Sequence, residues 1–341
     1  MIHRRRCGER RTEMKMRSIL ANIHTMEIKT ENAVDVGKAL DKYVLTHPSE
    51  KETAEKIGRC INTEISRINK NAKKMGKTFI LNLNKWYGEH ENIYLYSEFC
   101  EVLQIVTDAL GITGRYKITR VDLKFDSQDP NYYEVHRKLF YLLLRDVQHK
   151  TNERNFWIGT DAKTMRTRSI RIIRNGAFEF EYYNKEIESG GEDPAAARFE
   201  IRAISGKNGI INIRDCMDAK IRLLKSSIDD EQDVIVDCLN MLYEEWQAGR
   251  YTFDKTAKEW QRDDYKHLYQ FLDNERISDR IFSASMAIDL IEKISGGTKP
   301  QAAKRLENYN NSRGKLITYR QNMTTHLVER LEDAAQKYFD N

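Results

Sequence analysis

The stretch Thr119-Arg120-Val121-Asp122-Leu123-Lys124-Phe125-Asp126 decides the fold. From Val121 to Asp126 apolar and charged residues alternate. Strand side chains point to opposite faces with period two, so Val121, Leu123 and Phe125 face a core while Asp122, Lys124 and Asp126 face away. The whole strand is read as Tyr116–Ser127. Two later segments repeat the pattern. Phe178, Phe180 and Tyr182 share one face of their strand, and Glu179, Glu181, Tyr183 and Lys185 the other. Phe199 and Ile201 face inward, and Arg198, Glu200 and Arg202 outward. Side by side, the three strands gather Asp122, Lys124, Asp126, Tyr183, Lys185, Glu200 and Arg202 on one side of a sheet. Any antiparallel sheet with one solvated face alternates in this way. What sets this face apart is its mixture: carboxylates suited to a divalent cation, a tyrosine able to act as a nucleophile, and cations suited to phosphate.

Working outward, further strands are read at Phe156–Ile158, Ser169–Arg174, Ala177–Lys185 and Ala197–Ile204, with Asn175-Gly176 as a two-residue hairpin turn. A short strand covers Ile23–Lys29. Phe79–Asn84 and Ile93–Tyr96 read as a hairpin around Trp86–His90. Helical spacing covers Val34–Tyr43, Glu52–Ile68, Glu98–Leu110 (stopped by Gly111), Tyr132–Val147, Val234–Trp246, Tyr265–Leu272 and Gln321–Phe339. The expected class is α+β: a largely antiparallel sheet with helices on one face, followed by an all-helical C-terminal domain. The expected divisions are a flexible basic arm at 1–21, the α+β domain at 22–210 and the helical domain at 211–341. Within the last, Ala284–Ile294, the Gly296-Gly297 turn and Pro300–Tyr309 fit a helix-turn-helix, with Pro300 in the first turn of the second helix.

The net charge of +5 is unevenly spread. Residues 1–20 carry seven Lys/Arg against Glu9 and Glu13, which accounts for all of it. Elsewhere basic patches alternate with an acidic one: Arg145–Arg174 holds eight bases against three acids, and Ser227–Asp264 eleven acids against four bases. Separated basic patches suit phosphate backbones, although charge runs are as often solvated helix faces. On this ground Arg168, Arg171 and Arg174 are candidate DNA contacts, as are Lys304, Arg305, Arg313 and Lys315 around the helix-turn-helix. Five cysteines without a CxxC pair suit a reducing, cytoplasmic setting. No run approaches the roughly 18 apolar residues of a membrane span.

Thr119-Arg120-Val121-Asp122-Leu123 with Phe125-Asp126 resembles the R-hydrophobic-D-hydrophobic strand of rolling-circle replication initiators. Phe156-Trp157-Ile158-Gly159, then Tyr183-Asn184-Lys185 with Glu188, then Arg198-Phe199-Glu200, resemble that family's aromatic-x-glycine, Y-[ND]-K-x-x-E and R-x-E series, in the same order. The resemblance spans about residues 76–205. It implies an initiator that nicks one strand at an origin through a tyrosine, leaving a 5′-phosphotyrosyl link and a free 3′-hydroxyl. It implies Tyr183 as nucleophile. Glu200 and Asp122, then Asp126, would be ligands of Mg²⁺ or Mn²⁺, and Lys185 and Arg198 would contact the scissile phosphate or order the carboxylates. Tyr182 stands beside Tyr183, but the alternation puts it on the apolar face. The implied partners are duplex and single-stranded origin DNA, a host helicase and a second copy of the chain, with no membrane. Two departures from other nucleic-acid enzymes are plain. No two of the eight histidines stand two apart, so the His-x-His metal motif of the other large nicking superfamily is missing, and there is no GxxxxGK[ST] loop. The competing readings are a non-catalytic DNA-binding replication or regulatory protein and an RNA-binding sheet. The latter is disfavoured because exposed aromatics on adjacent strands are lacking.

Overall fold

A computed structural model describes residues 19–61, 75–88, 92–160, 167–205, 208–248, 266–313 and 322–341. In chain order the elements are β1 (Leu20–Asp35), α1 (Val36–Thr46), α2 (Lys51–Cys60), β2 (Met75–Leu81), α3 (Tyr96–Ala109), β3 (Tyr116–Ser127), α4 (Tyr132–Thr151), β4 (Phe156–Thr160) and β5 (Thr167–Arg174). There follow β6 (Phe178–Asn184), α5 (Lys185–Ser189), β7 (Ala197–Ile204), α6 (Ile213–Ser227), α7 (Glu231–Gln247), α8 (Lys266–Asp273), α9 (Glu275–Ser278), α10 (Ala284–Ser295), α11 (Lys299–Arg313) and α12 (Met323–Phe339). The strands form one seven-stranded sheet, ordered β2-β1-β3-β7-β6-β5-β4, and every neighbouring pair is antiparallel. The fold is α+β, as the alternation of β3, β6 and β7 requires.

The apolar face follows from that alternation. Leu123, Ile201, Phe180 and Ile172 are fully buried and lie in one row across β3, β7, β6 and β5. The long helix α4, with thirteen of its twenty residues buried, packs over β5 and β6, and Phe140 stacks on Tyr182 with ring centroids 3.9 Å apart. On the same apolar side α6 packs against β7 and α12 against β1, while Tyr96 of α3 meets Phe339 of α12 edge-on at 5.0 Å. No helix among the described residues is long and apolar enough to cross a membrane.

Several expected boundaries shift for local reasons. β1 begins at Leu20, and Leu20 and Ala21 pair with Asp126 and Phe125, so the end of the arm expected at 1–21 belongs to the sheet. Residues 1–18 lie outside the described residues, as does the second half of the helix expected over Glu52–Ile68. The expected strand Ile93–Tyr96 is absent. The Ile93 amide donates to Asn84 Oδ1 (2.9 Å) instead of to a strand partner, and Tyr96 opens α3. Leu83–Trp86 is a 3₁₀ turn, so the alternation over Ile93–Tyr96 marks an irregular approach to a helix.

Asp146, fully buried in α4, faces the acidic start of α7 without a hydrogen-bond partner for either carboxylate oxygen. Burial, then Glu231 and Asp230, push its carboxyl up to about 9. A carboxyl raised on folding holds its proton more tightly in the folded state. Its contribution is therefore full below the unfolded value near 4 and is lost as pH rises toward 9. An unpaired buried acceptor costs about 1–3 kcal/mol. Asp146→Leu is therefore expected to raise the melting temperature, with a gain that grows from pH 5 to pH 9 in thermal melts.

Candidate active site

Antiparallel pairing places directly opposed residues on one face, so the register gives the polar face in rows. One row runs Gly159, Ser169, Tyr183, Arg198, Asp126 across β4, β5, β6, β7 and β3. The next runs Trp157, Arg171, Glu181, Glu200, Lys124 over the same strands. A third holds Glu179, Arg202 and Asp122.

Tyr182 and Tyr183 point to opposite sides. Tyr182 is sealed in the core, where its hydroxyl donates to the Tyr132 carbonyl at 3.2 Å. The hydroxyl of Tyr183 donates to Glu200 Oε1 at 2.8 Å. Burial, then the Glu200 charge, push the Tyr183 phenol well above its ordinary value, with Arg198 acting against them. Glu200 itself is raised, first by burial, with Arg198 opposing and Asp122 reinforcing. Glu181, opposite Glu200, is pushed up to about 6, first by burial.

The Tyr183-Asn184-Lys185-x-x-Glu188 spacing has a local explanation. The strand ends at Asn184, whose side chain accepts the Ile187 amide (2.9 Å) and caps α5. One helical turn then brings the Lys185 ammonium onto the Glu188 carboxylate. Lys185 therefore opens a helix and does not continue the strand alternation. Its Nζ lies 6.0 Å from the centre of the Tyr183 ring and 3.8 Å from Asp193.

Arg198 is sealed, at 1% exposure, and forks onto Asp126: Nε to Oδ1 at 2.5 Å and Nη2 to Oδ2 at 3.0 Å. Its Nη2 also reaches Asp193 at 3.0 Å. Arg198 thus engages two carboxylates, Asp126 and Asp193. Lys124 Nζ adds a contact to Asp126 at 3.1 Å. Asp122 is held the same way, by Arg202 Nε at 3.1 Å and by Arg120, the arginine of the R-hydrophobic-D stretch. Arg202 continues to Glu179 at 2.5 Å, and Arg171 reaches Glu179 at 2.6 Å.

This arrangement does not fit a divalent cation held by Asp122, Asp126 and Glu200. The three carboxylates stand in three different rows. Two are engaged by guanidinium groups and the third by a phenol, and no group of three or more His, Cys, Asp or Glu among the described residues is gathered to hold a metal ion. Burial alone would raise the Asp126 carboxyl, but Lys124 and Arg198 hold it below its ordinary range. Its contribution is thus present above the unfolded value near 4 and lost on acidification. Asp126→Ala would leave buried cations uncompensated, and breaking such a pair costs about 3–5 kcal/mol. Urea denaturation is expected to show that loss. A metal-ligand role would instead change the metal response at unaltered stability.

The candidate DNA contacts are dispersed. Arg168 is exposed and lines a recess with Ser169, Glu181, Tyr183, Asn184, Ile187 and Glu188. Arg171 lies on the polar face, but Arg174 opposes Phe178 at the hairpin end, on the side of Ile170 and Ile172. The helical pair α10–α11 forms around Gly296 and packs through α10 on α7, with Lys304 exposed and paired to Glu307 at 2.8 Å. Arg305 is half-buried in α11, Arg313 closes that helix, and Lys315 lies outside the described residues.

His24 went unmarked in the sequence. A bulge between the pairs Ile23–Leu123 and Thr25–Asp122 inserts it into β1 beside the polar rows. Burial, then Lys124 and Arg198, lower its imidazole well below the ordinary value, so it is neutral. No single-strand alternation signals a bulge. Asp193 was missed because it comes from the loop after α5, and only the fold brings it to Arg198.

The fold and site define a class: an α+β protein whose antiparallel sheet carries a half-buried tyrosine in a field of paired carboxylates and guanidiniums. No protein-family model matches the chain, and no curated protein matches it. Among solved structures it is similar to the rolling circle replication initiator protein from Geobacillus stearothermophilus, at 10% identity and a TM-score of 0.28, over 72% of this chain and 91% of that one.

Proposed function

We propose that the chain is a DNA strand-nicking replication initiator with Tyr183 as its nucleophile. The observation that carries the reading is the Tyr183 hydroxyl donating to Glu200 at 2.8 Å on the polar sheet face, with Lys185 close to the ring. The ordered resemblance of the β3, β4, β6 and β7 segments to initiator motifs supports it, since all four segments lie in one sheet.

In the step proposed, the Tyr183 oxygen attacks the scissile phosphorus and its proton passes to Glu200 Oε1. The bond from phosphorus to the 3′ oxygen breaks, leaving a 5′-phosphotyrosyl link, and the departing 3′ oxygen is protonated from solvent. Lys185 offers its ammonium to the charge that builds on phosphate. Arg198, opposite Tyr183 in the register, orders Asp126 and Asp193. A role for Mg²⁺ or Mn²⁺ on Asp122, Asp126 and Glu200 would require the arginines to release two of the three carboxylates, and no step here depends on it.

One observation favours a second reading, a non-catalytic DNA-binding replication or regulatory protein: the neutralised carboxylate–arginine network is also what a purely structural sheet face needs. The two readings separate on supercoiled plasmid bearing the cognate origin, incubated with Mg²⁺, with Mn²⁺ and with chelator. Nicking predicts open circles carrying covalently attached protein. Origin binding without open circles supports the second reading.

A further inference from the structure

The β4–β5 edge of the sheet carries a feature that the chemistry at Tyr183 does not use. Phe156 packs inward, edge-on to Tyr141 at 5.6 Å, and Ile158 faces the same side. Trp157 therefore points to the polar face, where it opposes Arg171 and is 47% exposed. Two residues on, Gly159 opposes Ser169 so closely that a Cβ would stand 2.5 Å from Ser169 Oγ. The strand thus crosses the tyrosine's row as bare backbone, and no side chain on β4 rises between the indole and that row. Two strands across and two residues along put Trp157 about 12 Å from Tyr183. Among the described residues β4 carries no ionisable side chain, and on this face β5 offers Arg171, which is paired to Glu179, and the exposed Arg168 at the recess beside Tyr183; Arg174 turns to the other side.

An exposed indole flanked by Arg171 and Arg168 suits a single-stranded polynucleotide. Every unpaired base offers a π-face for stacking, and the strand's phosphates meet the arginines. A duplex keeps its bases stacked inside and has no face to offer the indole. We infer that Trp157 is a stacking platform for an unpaired nucleobase of a single DNA strand, a few nucleotides from the position that Tyr183 would attack. The inference rests on the proposed function only for the place of that phosphate; the platform itself requires single-stranded DNA alone.

Fluorescence anisotropy of a labelled oligodeoxythymidylate and of a labelled duplex, with wild type, Trp157→Ala and Trp157→Phe, tests it. Base–aromatic stacking lost on truncation to alanine weakens single-strand binding about tenfold. Trp157→Phe should recover most of that loss, and duplex binding should be unchanged by either substitution. Equal single-strand affinities for wild type and Trp157→Ala would overturn the platform, as would equal weakening on single strand and duplex. Adduct formation by the wild type, measured in parallel, keeps the two ideas apart. Trp157-dependent single-strand binding without an adduct supports the platform and removes the nicking reading. An adduct with no Trp157 dependence does the reverse.

Discussion

Tyr183→Phe is expected to abolish the covalent protein–DNA adduct while leaving origin affinity within about twofold. Only one oxygen is lost, and it is the one that would bond to phosphorus. The ring stays on the polar face, beside Lys185 and opposite Arg198, so DNA should meet the same surface. Tyr182→Phe is the matched control. It removes a buried hydroxyl that donates to the Tyr132 carbonyl, a hydrogen bond worth about 1 kcal/mol, and should lower stability slightly while keeping the adduct. Gel-shift and denaturing-gel assays on the same samples separate binding from bond formation.

Glu200→Gln is expected to slow adduct formation by about 10²–10⁴, the range for loss of a general base. The Tyr183 phenol is pushed up, first by burial, so at neutral pH it does not ionise alone and its proton must leave as the phosphorus is attacked. Glu200 is placed to take that proton, whereas glutamine keeps a similar shape without the basicity. The pH dependence follows. The base must be a carboxylate, and burial raises its value, so the wild-type rate should fall on acidification at a pH above the ordinary carboxylate range. Neighbouring Glu181 is pushed up to about 6, first by burial, and its charge acts on Glu200, so Glu181→Gln is expected to move the acid limb without removing it. Single-turnover rates from pH 5 to pH 9 measure both effects.

How far the sequence was legible depends on the kind of information each feature needs. β3 and β7 are found where their alternation put them because each buries its apolar face over the alternating run, from Val121 and from Ala197 onward, and a one-residue slip would turn Phe125 or Phe199 outward. The same logic separated Tyr182 from Tyr183. Alternation gives a face but not a row. That Asp122 meets Arg202, and Asp126 meets Arg198, depends on how β3 registers against β7. Charged residues that looked free to bind a cation are in fact each other's partners. His24 depends on a bulge, and Asp193 on a loop. Arg174 reads as one of a basic trio with Arg168 and Arg171, yet the pleat sends it to the other side of the sheet. In Ile93–Tyr96 the short alternation yielded to one hydrogen bond that the Ile93 amide donates to the Asn84 side chain.

The most direct test of the account is to map the bond itself. The protein is incubated with a single-stranded oligonucleotide carrying the origin's cleavage site, the covalent product is digested with trypsin and nuclease, and the nucleotide-bearing peptide is fragmented in a mass spectrometer. A nucleotide is expected on the peptide Asn175–Lys185, with the added mass on Tyr183 and absent from Tyr182. An added mass on Tyr182 or on any other residue, or nicked DNA with no attached peptide, would contradict it.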